Sequence, residues 1–201
     1  METPIKPIKK YNIIYADCPW KFNNKNTGGS MTSGSANQYN VLSVEELCKL
    51  PIEKIIADDS ILFSWWVGSM VEEAITVARA WGFKLKTMSG FTWVKKTKNW
   101  KDWFGMGFWT RQGTENILIA TRGQPVRRAA NVRQVQPLES FNESVEARNK
   151  GHSIKPDLFR DKIVELCGDL PRIELFARES NPGWDVWGKE VQSSIDFSKL
   201  M

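Results

Sequence analysis

Residues 11–20 read YNIIYADCPW, and they decide the fold class. The first six, YNIIYA, form a short, largely apolar run with β-branched residues at its centre. That is the pattern of a strand buried on both faces. The run stops at Asp17, and Cys18, Pro19 and Trp20 follow at once. Pro19 drives residue 18 out of the helical region and so fixes where its carbonyl points. A buried strand that ends in a stiff polar turn puts chemistry at the carboxyl end of a sheet, where α/β folds bind their ligands.

Working outward, residues 21–40 are rich in Asn, Gly and Ser, with glycines at 28 and 29. Such a long loop is usually functional. Ser43 and Glu46 have capping-box spacing and predict a helix that stops near Pro51. Residues 61–66 predict a second buried strand. Ser69 and Glu72 predict another capping box. It opens a helix with Met70, Val71, Ala74, Ile75, Ala78 and Trp81 at helical spacing and ends at Gly82. Residues 91–94 and 116–121 read as strands, and 123–150 as polar and irregular. Pro156 is expected to begin a helix with Leu158, Phe159, Ile163 and Leu166 on one face. Residues 172–177 read as a last strong strand. Buried strands alternating with amphipathic helices indicate an α/β fold with a mainly parallel sheet. The expected organisation is one domain over 1–201, with 21–40, 97–110 and 123–150 as substrate-recognition insertions.

The chain has 201 residues, 41% of them hydrophobic and 25% charged, values ordinary for a globular protein. A chain of this length buries roughly 70% of its unfolded surface, so it needs no disulfides. Its single histidine excludes a multi-histidine metal site. Three cysteines without a CxxC pair argue against a zinc module and fit a reducing, cytoplasmic location. No apolar run approaches the ~18 residues of a membrane span. The formal charge is +5, but the stretch 95–133 alone carries nine Lys and Arg against Asp102 and Glu115. Trp93, Trp100, Trp103 and Trp109 are interleaved with those cations. Cations among aromatics suit a polyanion with stackable bases. They suit equally a solvated face over buried indoles.

The turn at 17–20 has a definite chemical potential. Asp17 offers a carboxylate that only accepts hydrogen bonds. The residue-18 carbonyl is a second, backbone-held acceptor, and Trp20 is a flat plate. Two acceptors beside an aromatic face match a base with an exocyclic amine, such as adenine. A strand-end turn with a buried Trp is the plainer alternative for four residues taken alone.

Six blocks in order add to this: YADCPW at 15–20, ILFSWWVG at 61–68, FTWVKK at 91–96, GMGFWTRQGTENILIATRG at 105–123, HSIKPD at 152–157 and RIELFARESNPGWDVWG at 172–188. Together they resemble the adenine N-6 methyltransferase family typified by the seventy-kilodalton subunit of the eukaryotic mRNA methyltransferase, which has many bacterial and phage members. The resemblance spans roughly residues 11–190. It implies a Rossmann-like methyltransferase fold in permuted order, with the catalytic motif first and the cofactor motif last. The residues agree with that order. Only sixteen precede Asp17, too few for a strand, loop, helix and strand, so the cofactor strand is expected downstream near 173–178. The lone GxG at Gly105 and Gly107 is no dinucleotide fingerprint.

The resemblance implies that S-adenosylmethionine is the cofactor, that no metal is required, and that the methyl group passes directly to the adenine amine. By resemblance, Asp17, Cys18, Pro19 and Trp20 form the catalytic motif. Asp17 and the Cys18 carbonyl hold the amine, and Trp20 stacks on the base. The family's usual second residue is proline. Cys18 in its place is expected to be tolerated, because the functional atom there belongs to the backbone. Asp17, Lys155, Glu174, Phe176, Arg178 and Asn181 are the implied cofactor-binding set, with Lys155 contacting the cofactor carboxylate and Arg178 and Asn181 the ribose. Lys189 and Glu190 stand where the family often has an amide. Tyr39, Lys95, Lys96, Lys98, Trp100, Trp103, Arg127 and Arg128 are the substrate-side candidates. The expected partner is nucleic acid, DNA before RNA, with a homodimer as a means for so small an enzyme to grip a duplex. A non-catalytic nucleic-acid-binding subunit and an enzyme acting on a small-molecule or protein amine are the rival readings. Asp17 with Trp20 favours an enzyme over the first, and the second predicts no role for the basic Trp-bearing region.

Overall fold

The computed structural model describes residues 9–21, 41–97, 99–105, 107, 109–136 and 155–200. A six-stranded sheet lies at the centre in the order β3-β4-β2-β1-β5-β6. The apolar run becomes β1 (Tyr11–Ala16). It pairs in parallel with β2 (Ile56–Trp66) on one side and β5 (Arg172–Leu175) on the other. β6 (Asp185–Trp187) continues in parallel beyond β5. β4 (Thr114–Arg122) runs against both β2 and β3 (Lys84–Val94). The sheet is therefore mostly parallel, with one strand reversed. The reversal follows from the connection. Residues 95–113 hold no helix among the described residues, and a parallel return would need a crossover.

Alternate residues of β1 serve opposite faces. Ile14 and Ala16 join Leu62, Leu118, Ala120 and Leu175 under α1 (Val44–Cys48) and α2 (Val71–Ala80), where Leu47, Ala74 and Val77 complete the cluster. Ile13 and Tyr15 join Phe63, Trp65, Phe91 and Ile117 under α3 (Leu158–Cys167), through Phe159 and Ile163. Helices on both faces explain why β1 reads as a continuous apolar run rather than an alternating one. The order also defines a crevice. From β1 the chain crosses to β2 on one side, whereas β5 leads to β6 on the other. The carboxyl ends of β1 and β5 flank the point where the winding reverses, which is where doubly wound sheets take ligands.

Local signals held unevenly. Ser43 caps α1 with both reciprocal bonds of a capping box to Glu46. Ser43→Ala should lower stability by about 1 kcal/mol, measurable by chemical denaturation. The box expected at Ser69 is not formed. The Met70 N–H donates to the Val67 carbonyl at 2.8 Å, and the buried Met70 becomes the N-cap without a side-chain bond. Burying methionine in the core outweighs a serine cap. α2 ends at Ala80 with Trp81 as its C-cap, and Gly82, with φ 86°, turns the chain just beyond. The last helix starts at Leu158 rather than Pro156, after a turn closed by Phe159 N–H on the Pro156 carbonyl at 3.2 Å. β2, β3 and β4 are each longer than expected, and β6 is a strand that sequence patterning did not show.

Candidate active site

Asp17 is the first residue past β1, and its N–H reaches the Leu175 carbonyl of β5 at 3.5 Å. Its carboxylate therefore stands at the mouth of the crevice. Lys155, just upstream of α3, donates to Asp17 Oδ2 at 2.9 Å and lies 3.5 Å from Glu115 Oε2. The Lys155 side chain is only 8% exposed, and its ammonium sits 5.3 Å from the Trp65 ring centroid. Burial pulls the Lys155 pKa down, but Asp17 and Glu115 outweigh it and hold the ammonium above its ordinary value. Glu115 opposes Trp93 in the β3–β4 pair and also forms an ion pair with Lys95. Burial raises the Glu115 carboxyl, yet Lys155 and Lys95 together hold it below its ordinary value. The charges thus form a chain: Asp17, Lys155, Glu115, Lys95.

Glu115 was visible in the sequence only as one negative charge in a basic stretch. Its depressed pKa fixes the sign of a pH effect. The stabilisation it supplies is present above the ordinary carboxyl value of 4.5 and is lost as pH falls through its lower folded value. Wild-type stability should therefore fall more steeply below about pH 4.5 than that of Glu115→Gln, measured as urea midpoints across an acid series.

The turn at 17–20 is tightly held. Leu42 N–H donates to the Pro19 carbonyl at 2.8 Å, and Lys21 N–H donates to the Leu42 carbonyl at 3.1 Å. The Cys18 carbonyl accepts the Trp20 N–H at 2.9 Å, which uses one of its two lone pairs. The Cys18 thiol is buried, and burial with the neighbouring Asp17 pushes its pKa far up. It packs within the core, where burial disfavours the thiolate that a nucleophile needs. Trp20 is 7% exposed and joins the core cluster under α1 and α2. Its buried indole N–H has no hydrogen-bond partner among the described residues, a deficit of about 1–3 kcal/mol that a ligand acceptor would relieve.

Across the crevice, Glu174 is buried, and both of its oxygens face Arg160 of α3. Arg160 Nε donates to Oε2 at 2.7 Å and Nη2 to Oε1 at 2.9 Å. Arg160 also pairs with Asp157 at the start of its helix. β5 stops at Leu175, short of the expected 177, because Phe176 turns the chain with φ 63°, a left-handed conformation rare for a bulky residue. Its ring packs edge-on against Trp187 at 5.2 Å. Such strain gathers at binding sites. Arg178 lies half-buried, 4.0 Å from Glu190. Asn181 Nδ2 is buried with no partner among the described residues. Gly188 meets the strand end so closely that a Cβ there would lie 2.0 Å from the Ala177 carbonyl oxygen.

The structure brings Asp17, Cys18, Lys155, Glu174 and Phe176 to one end of the sheet. Lys95 and Lys96 are at that end too, but each has a carboxylate partner, Glu115 and Asp102 respectively. Arg127 and Arg128 are elsewhere. Arg128 N–H bonds the Leu166 carbonyl, near the far end of α3 from Lys155. Trp100 is exposed and Trp103 partly buried. Tyr39, Lys98 and His152, with residues 22–40 and 137–150, lie outside the described residues. Trp65, Trp81 and Trp93 are core, and Trp66 packs against it.

Comparison with known proteins defines the class of the chain as a methyltransferase. The family model described as MT-A70 matches residues 11–190. The chain belongs to the MT-A70 family and is an adenine N6-methyltransferase. It is 35% identical over 204 residues to the Type II methyltransferase M.MunI of a Mycoplasma species, covering 94% of this chain and 81% of that protein. It is 26% identical to the human N(6)-adenine-specific methyltransferase METTL4, covering 91% of this chain but 38% of the relative. It is 33% identical over 155 residues to the N6-methyladenosine RNA methyltransferase MTA1 of Cryphonectria parasitica, covering 73% of this chain and 42% of the relative. Among the described residues, no helix is long and apolar enough to cross a membrane.

Proposed function

We propose that this chain transfers a methyl group from S-adenosylmethionine to the exocyclic N6 amine of adenine in DNA. The observation that carries the reading is Asp17, fixed at the switch point of the sheet by Lys155 and stiffened from behind by Pro19. The residues around the crevice fit the cofactor. Asn181 has an unmet buried donor suited to a ribose hydroxyl. Phe176, in its strained turn, supplies an apolar wall, and Arg178 a second donor. The buried Lys155 ammonium complements a carboxylate. Glu174 shapes this wall through its fork with Arg160. S-adenosylmethionine supplies, when bound, a methyl group on a positively charged sulfur.

Every other element of the reaction belongs to the chain. Lys155 holds Asp17 Oδ2, leaving Oδ1 to accept from the adenine amine. The second lone pair of the Cys18 carbonyl accepts a hydrogen bond from the other amine hydrogen, and the proton that the amine sheds on methylation passes to Asp17 or to water. Acceptors fixed in advance stabilise the positive charge that develops on nitrogen, and alignment of the amine supplies most of the remaining acceleration. An adenine within a duplex must leave the stack to reach this turn.

DNA is supported by the degree of likeness. This chain is 35% identical to the Type II methyltransferase over 94% of its residues, against 33% over 73% for the RNA enzyme. Unmethylated DNA and RNA of matching sequence, offered together with a labelled methyl donor, test the choice. Label is expected in the DNA fraction. Label confined to RNA would reverse the assignment of polymer while keeping the chemistry.

A further inference from the structure

The connection between β3 and β4 carries an aromatic surface that the catalytic crevice does not use. An antiparallel bridge between Lys96 and Asp102 closes one small hairpin, and a bridge between Gly105 and Gln112 closes a second. Each displays a tryptophan in left-handed backbone. Trp100 has φ 61° in the first, and Trp109 has φ 65° in the second. Trp109 is fully exposed, and Phe104 beside the second bridge is 75% exposed. Large apolar side chains in water and in strained backbone are unfavourable twice over, a combination that marks interaction sites.

The hairpins are built rather than slack. A Cβ on Gly105 would come within 2.5 Å of the Gln112 carbonyl oxygen, and one on Gly107 within 2.6 Å of the Thr110 carbonyl oxygen. Only glycines allow these strands to close so tightly. The GxG that fits no nucleotide fingerprint is therefore a hairpin device. Lys95 N–H donates to the Gly113 carbonyl at 2.8 Å, and Lys95 is ion-paired to Glu115, which in turn faces Lys155. The displayed aromatics are thus tied to the end of the sheet that holds Asp17. The charge around them is net basic, with the exposed Asp102 paired to Lys96. The Arg111 guanidinium lies 4.8 Å from the Phe104 ring centroid, and Lys101 is exposed nearby.

We propose that Trp109, with Phe104 beside it, inserts into the base stack of duplex DNA next to the target adenine and holds the duplex open while the adenine occupies the crevice. The proposal rests on the reading of the chain as a DNA adenine methyltransferase. An aromatic plate replaces the stacking that the extruded base gives up, and Arg111 and Lys101 hold the flanking phosphates. A second copy of the chain is the competing occupant. Its apolar contact would not require cations around the rings, so charge favours DNA.

The test compares methylation of native and heat-denatured unmethylated DNA by wild type, Trp109→Ala, Phe104→Ala and Trp109→Phe. Both alanine sites are on the surface, so the variants should fold, and circular dichroism checks this. A base that is already unpaired needs no wedge. The native-to-denatured ratio of kcat/KM should fall by about tenfold in Trp109→Ala, less in Phe104→Ala, and recover in Trp109→Phe. An unchanged ratio in Trp109→Ala overturns the proposal, and so does a wild type that prefers denatured DNA. A wild-type dimer that Trp109→Ala splits into monomers assigns the surface to a second copy. A wild type that methylates neither form of DNA refutes the underlying reading, and the proposal with it.

Discussion

Asp17→Asn should lower kcat/KM for methyl transfer by at least about two orders of magnitude, the usual effect of losing one preorganised electrostatic group. The substitution preserves shape and leaves an amide in place of the carboxylate. It removes the charge that opposes the positive charge growing on the amine, and it points an N–H where an acceptor is needed. S-adenosylmethionine should still bind, because Asn181, Arg178 and Phe176 are untouched, and titration calorimetry checks that. Loss of turnover with the donor still bound separates chemistry from cofactor capture. Full activity in Asp17→Asn would remove Asp17 from the mechanism.

The second large effect is on stability. Arg160→Met should destabilise the protein by about 3–5 kcal/mol, because it leaves the Glu174 carboxylate buried and unpaired. The fork between them is nearly dry, with side chains 7% and 8% exposed. Arg160→Met with Glu174→Leu should recover most of that stability, since apolar residues of similar volume often replace a buried pair without loss. Cofactor affinity should not recover with it, because leucine and methionine restore packing but not the fork that shapes the wall. Denaturant midpoints read the first quantity and calorimetry the second. A single Arg160→Met variant as stable as wild type would contradict the assignment of this pair as the brace of the crevice.

What could be read in advance depended on whether a signal was local. β1 was legible because six apolar residues and a Pro-stiffened turn say the same thing within ten positions. The capping box at Ser43 was legible for the same reason, whereas the one at Ser69 lost to the burial of Met70, a tertiary effect. The amino half of β3 was missed because two register shifts, between Leu85 and Thr87 and between Thr87 and Phe91, break its alternation. The three residues of β6 are too few to show a period. Asp17 and Trp20 stood out because they are adjacent in sequence. Glu115 did not, since its partners Lys95 and Lys155 come from separate parts of the chain. The same limit shaped the reading of charge. The basic stretch 95–133 looked like one surface, but folding pairs Lys95 and Lys96 with acids and carries Arg128 to the other end of α3.

The central claim is that the crevice at the ends of β1 and β5 methylates the N6 amine of adenine. Unmethylated DNA incubated with the protein and a labelled methyl donor, then digested to nucleosides and resolved by mass spectrometry, tests it directly. The account predicts label in N6-methyldeoxyadenosine, and none when the Asp17→Asn variant is used. Label in a methylated cytosine, or N6-methyldeoxyadenosine formed equally well by the variant, would contradict it.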